Sequence, residues 1–180
     1  RISLFMGTSA GTDVKLNEQK IAGYRNFANK IWNASRFVMM NIDGNPHLIS
    51  PLKKGEKEGV RLTAADKKIL AELKDVVRDV TKYLDALDFN HAADLAYHYF
   101  WHTFCDKIIE AQKPRLAVRG QVTSVSDLAT DSRAAQYILY TCLTTSLKLL
   151  HPFMPFVTEA VWQMMPRKNK SMLISERWPL

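Results

Sequence analysis

The stretch from residue 26 to residue 40 repeats its apolar side chains with the spacing of an α-helix, and this periodicity is the strongest constraint on the fold. At about 100° per residue, one side of the helix is apolar and consists of Tyr24, Phe27, Ala28, Ile31, Ser35, Val38 and Ile42, with Trp32 and Met39 at its edge. The other side consists of Asn26, Asn29, Lys30, Asn33, Arg36, Phe37 and Met40. The sequence therefore predicts a long helix that packs on a core by one face.

The second side of this helix is unusual for a solvated face. Such faces usually carry Glu and Lys, whereas asparagines weaken a helix. Amides can pair with base edges, cations can bind phosphate, and an aromatic ring can stack on a base. The pattern is typical of a face that contacts unpaired nucleic acid. The alternative is a solvated face whose asparagines bond to neighbouring loops, since one exposed Phe needs no explanation.

Composition indicates a globular protein with a sizeable core. The chain has 180 residues, of which 47% are hydrophobic and 24% charged. The net charge of +7 favours a polyanionic partner. No apolar run is long enough to span a bilayer and no signal peptide is recognisable, so we expect a cytoplasmic protein without a membrane contact. The two cysteines, Cys105 and Cys142, lie in apolar helical patterns, which predicts buried, reduced thiols.

Four further segments follow helical patterns. Thr63 and Asp66 resemble a capping box that opens a helix to about residue 87. Asn90 is the expected cap of a third helix, which ends near residue 112 before Pro114. The wide apolar face of this third helix predicts a central place in the bundle. The fourth helix is predicted from Ser126 to residue 150, and the fifth begins at a proline and covers residues 155–165.

The predicted fold is an all-α bundle of about five helices. Residues 1–16 are interpreted as the end of a preceding helix with a connecting loop, residues 17–166 as the bundle, and residues 167–180 as a basic extension in which 172–180 are extended. Residues 43–59 and 114–126 are predicted loops. Because the chain starts with Arg1 rather than Met, we expect it to be a fragment of a longer protein.

His98 and His102 have the four-residue spacing with which two imidazoles on one helix face can hold a zinc ion, and Asp94 and Asp106 lie one turn to either side. No glutamate stands where a helical zinc protease has one, and the flanking residues are aromatic. The prediction is therefore no metal site and no catalytic residue in this chain, with a metalloenzyme as the remaining alternative.

Several blocks of sequence together resemble a known family. They are residues 23–37, Phe100-Trp101, Phe104-Cys105-Asp106, Lys113-Pro114, and residues 149–159 with the His-Pro-Phe-Met-Pro-Phe motif. Together they resemble the helical anticodon-binding domain of the valyl-tRNA synthetases, which are class I aminoacyl-tRNA synthetases. The His-Pro-Phe-Met-Pro-Phe motif is shared with isoleucyl and leucyl enzymes and indicates only the class. The block Asn-Lys-Ile-Trp-Asn-Ala-Ser-Arg-Phe at 29–37 is similar to the valyl enzymes in particular.

The resemblance implies a helical bundle that grips the anticodon stem-loop of valine tRNA. The positions that it assigns to anticodon binding are Asn29, Lys30, Asn33, Arg36 and Phe37. Of these, Asn29 and Asn33 are expected at base edges, the two cations at phosphate or base, and Phe37 in a stack. Residues 43–61 and 116–125 match no pattern of the family.

The resemblance also implies a context. The full-length enzyme would join valine to its tRNA with ATP and magnesium, whereas the catalytic site lies outside this chain, which itself needs no cofactor. The expected partners are valine tRNA and the remaining domains of the same synthetase, with the protein as a monomer. The alternatives are the equivalent domain of an isoleucyl or leucyl enzyme, and a helical protein-docking module that binds no RNA.

Overall fold

The computed structural model describes residues 2–7, 18–42, 60–117, 127–167 and 171–179. Its regular elements are all helical, which confirms the predicted all-α class. In chain order they are α1 (Ile2–Phe5), α2 (Glu18–Asn41), α3 (Ala64–Asp85), α4 (Phe89–His98), a π-helical segment (Tyr99–Ile109), α5 (Glu110–Ala117), α6 (Asp127–Leu150), α7 (Pro155–Met164) and a 3₁₀ turn (Leu173–Ser175).

Two helix starts are confirmed with their predicted chemistry. Thr63 Oγ1 accepts a hydrogen bond from the backbone N–H of Asp66 at 3.1 Å, and the Asp66 carboxylate accepts one from the backbone N–H of Thr63 at 3.0 Å. Pro155 occupies the first turn of α7, where its missing N–H costs no backbone hydrogen bond. The predicted loop at 43–59, residues 118–126 of the predicted loop at 114–126, and the predicted cap Ser126 lie outside the described residues.

The prediction for the third helix was wrong at both ends. Asp88, not Asn90, caps α4, and the Asn90 side chain instead accepts a hydrogen bond from Gly7 N at 2.6 Å. Helix continues through Pro114 to Ala117, because buried Leu116 and the ion pairs of Arg115 hold this turn on the bundle despite the proline. Tertiary contacts therefore outweigh the local helix-breaking signal.

The C-terminal segment is not simply extended as predicted. Residues Leu173–Ser175 form a 3₁₀ turn, and Leu173 is buried in the core together with Ile2 and Met6. Trp178 Nε1 donates a hydrogen bond to Thr81 Oγ1 of α3 at 2.8 Å. Residues on both sides of 17–166 thus pack on the bundle, and the proposed division of the chain at 16 and 166 remains a prediction.

Helix α6 is as central to the bundle as the predicted third helix, which α4, the π-helical segment and α5 form together and which contacts α1, α2, α3 and α6. Helix α6 contacts α2, α3, α4, α5, α7 and the π-helical segment. Helix α6 is buried on most of its sides. Its buried side chains are mainly small or aliphatic and include Ala134, Ala135, Ile138, Leu139, Cys142, Leu143 and Leu147. The wide apolar face of the third segment is aromatic instead, and Tyr97 and Trp101 remain partly accessible at its edge.

Aromatic packing fixes the rotation of α2 about its axis. Phe27 is fully buried, with its ring centroid 4.5 Å from that of Tyr97 and 5.8 Å from those of Phe100 and Trp101. Ile31 and Val38 extend this buried stripe along α2. Since these residues define one side of the helix, the polar side opposite them faces outward.

A buried carboxylate ties α3, α5 and α6 together. Asp66 is 1% exposed, and Arg115 binds both of its oxygens at 2.7 and 3.1 Å. Arg115 also pairs with Asp131 of α6 at 2.7 Å. Burial alone raises the pKa of Asp66, but the hydrogen bonds from Arg115 and Thr63 outweigh it and lower that pKa overall. The ionised carboxylate is therefore stabilised by its partners in the folded chain.

We expect Arg115→Ala to destabilise the fold, because it leaves the buried Asp66 charge without its bidentate partner. The expected loss is about 3 kcal/mol of the free energy of unfolding, measured by urea denaturation at pH 7. Arg78→Ala is the matched control, since Arg78 pairs with Asp75 and Asp79 on the exposed face of α3. Equal losses in the two variants would contradict a structural role for the buried pair.

Both cysteines are free and buried, as predicted. Burial raises the pKa of each thiol to about 12. We therefore expect iodoacetamide to label neither residue in the folded protein at pH 8, and both after unfolding in guanidinium, because the thiolate is the reactive form. Rapid labelling of the native chain, measured by mass spectrometry, would show that the core around α6 opens.

Candidate nucleic-acid interface

The five residues predicted to bind RNA lie on one side of α2. The side chains of Asn29, Asn33 and Arg36 are exposed, and those of Lys30 and Phe37 are half-buried. Met40, one turn further, is 76% exposed. Because α2 is held by its buried stripe, these groups stand on a rigid surface rather than on a loop, which lowers the ordering cost of binding.

Lys30 is held by residues of the π-helical segment. Its Nζ lies 2.9 Å from Oδ1 of Asp106 and 4.9 Å from the centroid of the Trp101 ring. The hydrogen bond from Lys30 lowers the pKa of the Asp106 carboxyl, so this partner is ionised near neutral pH. The ammonium therefore already has a ring and a carboxylate as neighbours in the free protein.

Phe37 lies partly against the core, so its ring is less accessible than the helical wheel predicts. The ammonium of Lys113, on α5, lies 5.8 Å from the centroid of the ring. Lys113 in turn pairs with Oε1 of Glu110 at 2.5 Å. A base that stacks on Phe37 must therefore approach beside or in place of the Lys113 ammonium.

Four residues that border this face were not predicted from the sequence to do so: Trp101, Asp106, Glu110 and Lys113. Three of them lie in or next to the blocks Phe100-Trp101, Phe104-Cys105-Asp106 and Lys113-Pro114, which carry the family resemblance. These blocks marked their residues as important but did not indicate where the residues lie relative to α2. Lys30 and Asp106 are 76 residues apart, and no periodicity in a single sequence predicts such a contact.

His98 and His102 do not form a metal site with the groups around them. Their rings stack at 5.3 Å, and each faces an aspartate, with His98 Nε2 3.5 Å from Asp94 Oδ1 and His102 Nδ1 3.4 Å from Asp106 Oδ2. Within residues 2–7, 18–42, 60–117, 127–167 and 171–179, no cluster of three or more His, Cys, Asp or Glu is arranged to hold a metal ion.

The interface thus combines exposed amides, an exposed guanidinium side chain and two lysines above aromatic rings. Such groups suit a single-stranded nucleic acid, whose phosphates, base edges and base faces are all accessible.

A protein-family model matches the larger part of the chain. The model of the anticodon-binding domain of tRNA ligase matches residues 66–180. The chain belongs to this family. The matched span of this anticodon-binding domain contains the π-helical segment, α5, α6 and α7, whereas α2 precedes it.

Longer relatives match the chain almost end to end and include α2. A valine–tRNA ligase of Carboxydothermus hydrogenoformans is 40% identical over 179 residues, which are 99% of this chain and 18% of that protein. One from Thermotoga maritima is also 40% identical, with the same two shares. One from Geobacter sulfurreducens is 42% identical over 169 residues, or 92% of this chain and 17% of that protein. The chain therefore spans less than a fifth of the length of these relatives.

Among the residues described, no helix combines the length and the apolarity that crossing a membrane requires.

Because Phe37 packs partly on the core, its removal should lower stability as well as any affinity for RNA. We expect Phe37→Ala to lower the free energy of unfolding by about 1–3 kcal/mol, less than for a fully buried Phe. Asn33→Ala, one turn away and exposed, should change it by less than about 0.5 kcal/mol. Urea denaturation measures both. An unchanged free energy of unfolding in Phe37→Ala would mean that the ring is exposed to solvent and does not pack on the core.

Proposed function

We propose that the polar side of α2 binds the anticodon stem-loop of a valine tRNA, and that the chain is the anticodon-binding part of a valine–tRNA ligase. The observation that supports this most directly is the outward row of Asn29, Asn33 and Arg36 on a helix fixed by Phe27. The names of the relatives, which match across α2, supply the amino acid.

Each residue has a role that follows from its chemistry. Asn29 and Asn33 offer a donor and an acceptor to the edges of unpaired bases. Arg36 and Lys30 bind phosphates or base acceptors, and the exposed part of Phe37 supports a stacked base. Exposed side chains on a rigid helix need little rearrangement to make these contacts.

The activity of the whole protein is part of the same proposal. The ligase would attach valine to its tRNA with ATP and magnesium bound elsewhere, in the cytoplasm and as a monomer. The bundle at residues 17–166 would position the tRNA, in contact with the other domains of the same enzyme. This chain would supply binding and no catalytic residue.

Two other functions remain as outcomes of the test. The equivalent domain of an isoleucyl or leucyl enzyme would bind a different anticodon. A protein-docking bundle would show no salt-dependent affinity for RNA, whereas contacts to phosphate make affinity fall steeply with salt.

The test measures binding of the 180-residue chain to the valine anticodon stem-loop at 50 and 200 mM salt, by fluorescence anisotropy. We expect binding that weakens at higher salt and that isoleucine and leucine stem-loops compete for poorly. Asn33→Ala combined with Arg36→Ala should weaken it at least about tenfold, since each specific contact typically contributes 1 kcal/mol or more. Phe37→Leu should also weaken binding, because it keeps the packing volume but loses the flat ring.

The matched control is Lys68→Ala, which removes one positive charge from the exposed face of α3. This variant should lose only the small part of the affinity that depends on the net charge of the protein. Equal losses in the control and in the double variant would contradict a site on α2. Binding that ignores the anticodon would contradict its role in selecting valine tRNA.

A further inference from the structure

Two groups of the same composition border the polar side of α2. In the first, the Lys30 ammonium lies over Trp101 and pairs with Asp106. In the second, the Lys113 ammonium lies over Phe37 and pairs with Glu110. We call them the Lys30 triad and the Lys113 triad. Each places a lysine between an aromatic ring and a carboxylate at the edge of the candidate interface.

The ion pairs of both triads are accessible to solvent. The side chains of Lys30 and Asp106 are 33% and 44% exposed, and those of Lys113 and Glu110 are 48% and 57% exposed. Exposed pairs of this kind contribute little to stability. A phosphate can therefore replace the carboxylate as the partner of either ammonium without disturbing the fold.

We propose that RNA binding exchanges carboxylate for phosphate in both triads. Lys113 is then a further RNA-binding residue, and Asp106 and Glu110 lower the affinity by occupying the two lysines in the free protein. This inference rests on the proposed function, because it requires an RNA backbone on this side of α2.

The position of Lys113 over Phe37 links the exchange to the stacking of a base. We expect a base that stacks on this face of Phe37 to displace the ammonium from the ring and to separate it from Glu110. The displaced ammonium remains beside the same nucleotide, whose phosphate it can bind. Stacking and phosphate binding are thus coupled through one side chain.

Asp106 has a second neighbour that the test must hold constant. His102 Nδ1 lies 3.4 Å from Asp106 Oδ2, whereas Lys30 occupies Oδ1. His102 can therefore hold Asp106 after Lys30 has left. The comparison is repeated in the His102→Gln background, which confines the exchange to Lys30 and phosphate.

The first test compares Asp106→Asn with Asp75→Asn, each binding the valine anticodon stem-loop at pH 8. Asp75 is the matched control because it forms a similar exposed pair with Arg78 on α3, at 2.7 Å. Both variants add the same net charge. We expect Asp106→Asn to bind about two- to fivefold more tightly than Asp75→Asn, the range that an exposed ion pair supports. Glu110→Gln should show a gain of the same kind.

The second test asks whether Asp106 acts through Lys30. In the Lys30→Gln background, Asp106→Asn should give no more than the gain seen with Asp75→Asn, since the cation that it frees is absent. Lys113→Gln should weaken binding and reduce the slope of log affinity against log salt by about one, as the loss of one phosphate contact does. Thermal melts of each variant verify that the fold is retained.

The outcomes separate this inference from the proposed function. If the wild-type chain binds the stem-loop but Asp106→Asn equals Asp75→Asn, or Lys113→Gln keeps the salt slope, the exchange is overturned and the site on α2 stands. If the wild-type chain shows no salt-sensitive, anticodon-dependent binding, the proposed function and the exchange fall together.

Discussion

The interface depends on the packing of Phe27, a residue of α2, against the end of α4 and the π-helical segment. Its ring contacts Tyr97, Phe100 and Trp101, and aromatic contacts of this kind add to the free energy of burial. Because three rings surround one side chain, α2 has little freedom to rotate. The outward position of Asn29, Asn33 and Arg36 follows from that constraint and not from any contact of their own.

The same aromatic layer supports the charges of the interface. Trp101 packs on Phe27 and also lies under the Lys30 ammonium. A cation over a ring keeps its charge available while its side chain is held in place. The core and the candidate RNA-binding face therefore share residues, so a substitution such as Phe37→Ala affects both. Variants that keep side-chain volume separate the two effects better.

Signals in the sequence were sufficient to predict those features of the structure that depend only on nearby residues. The capping box at Thr63 and Asp66, the proline start of α7 and the helical periodicity of residues 26–40 were predicted correctly because each depends on neighbours within a few residues. Pro114 misled for the opposite reason. Its helix-breaking tendency is real, but Arg115 binds Asp66, 49 residues earlier in the chain, and keeps the turn helical.

The sequence by itself determined the all-α class, the course of α2 and the division of that helix into an apolar and a polar side, because helical periodicity is encoded in adjacent turns. Only the tertiary structure decided that α6 is central, that Phe37 is half-buried, and that Lys30 and Lys113 have carboxylate partners. The Lys30 contact joins residues from helices far apart in the chain, and Phe37 meets Lys113 in the same way. Their positions depend on how the helices pack, which one sequence read residue by residue does not specify.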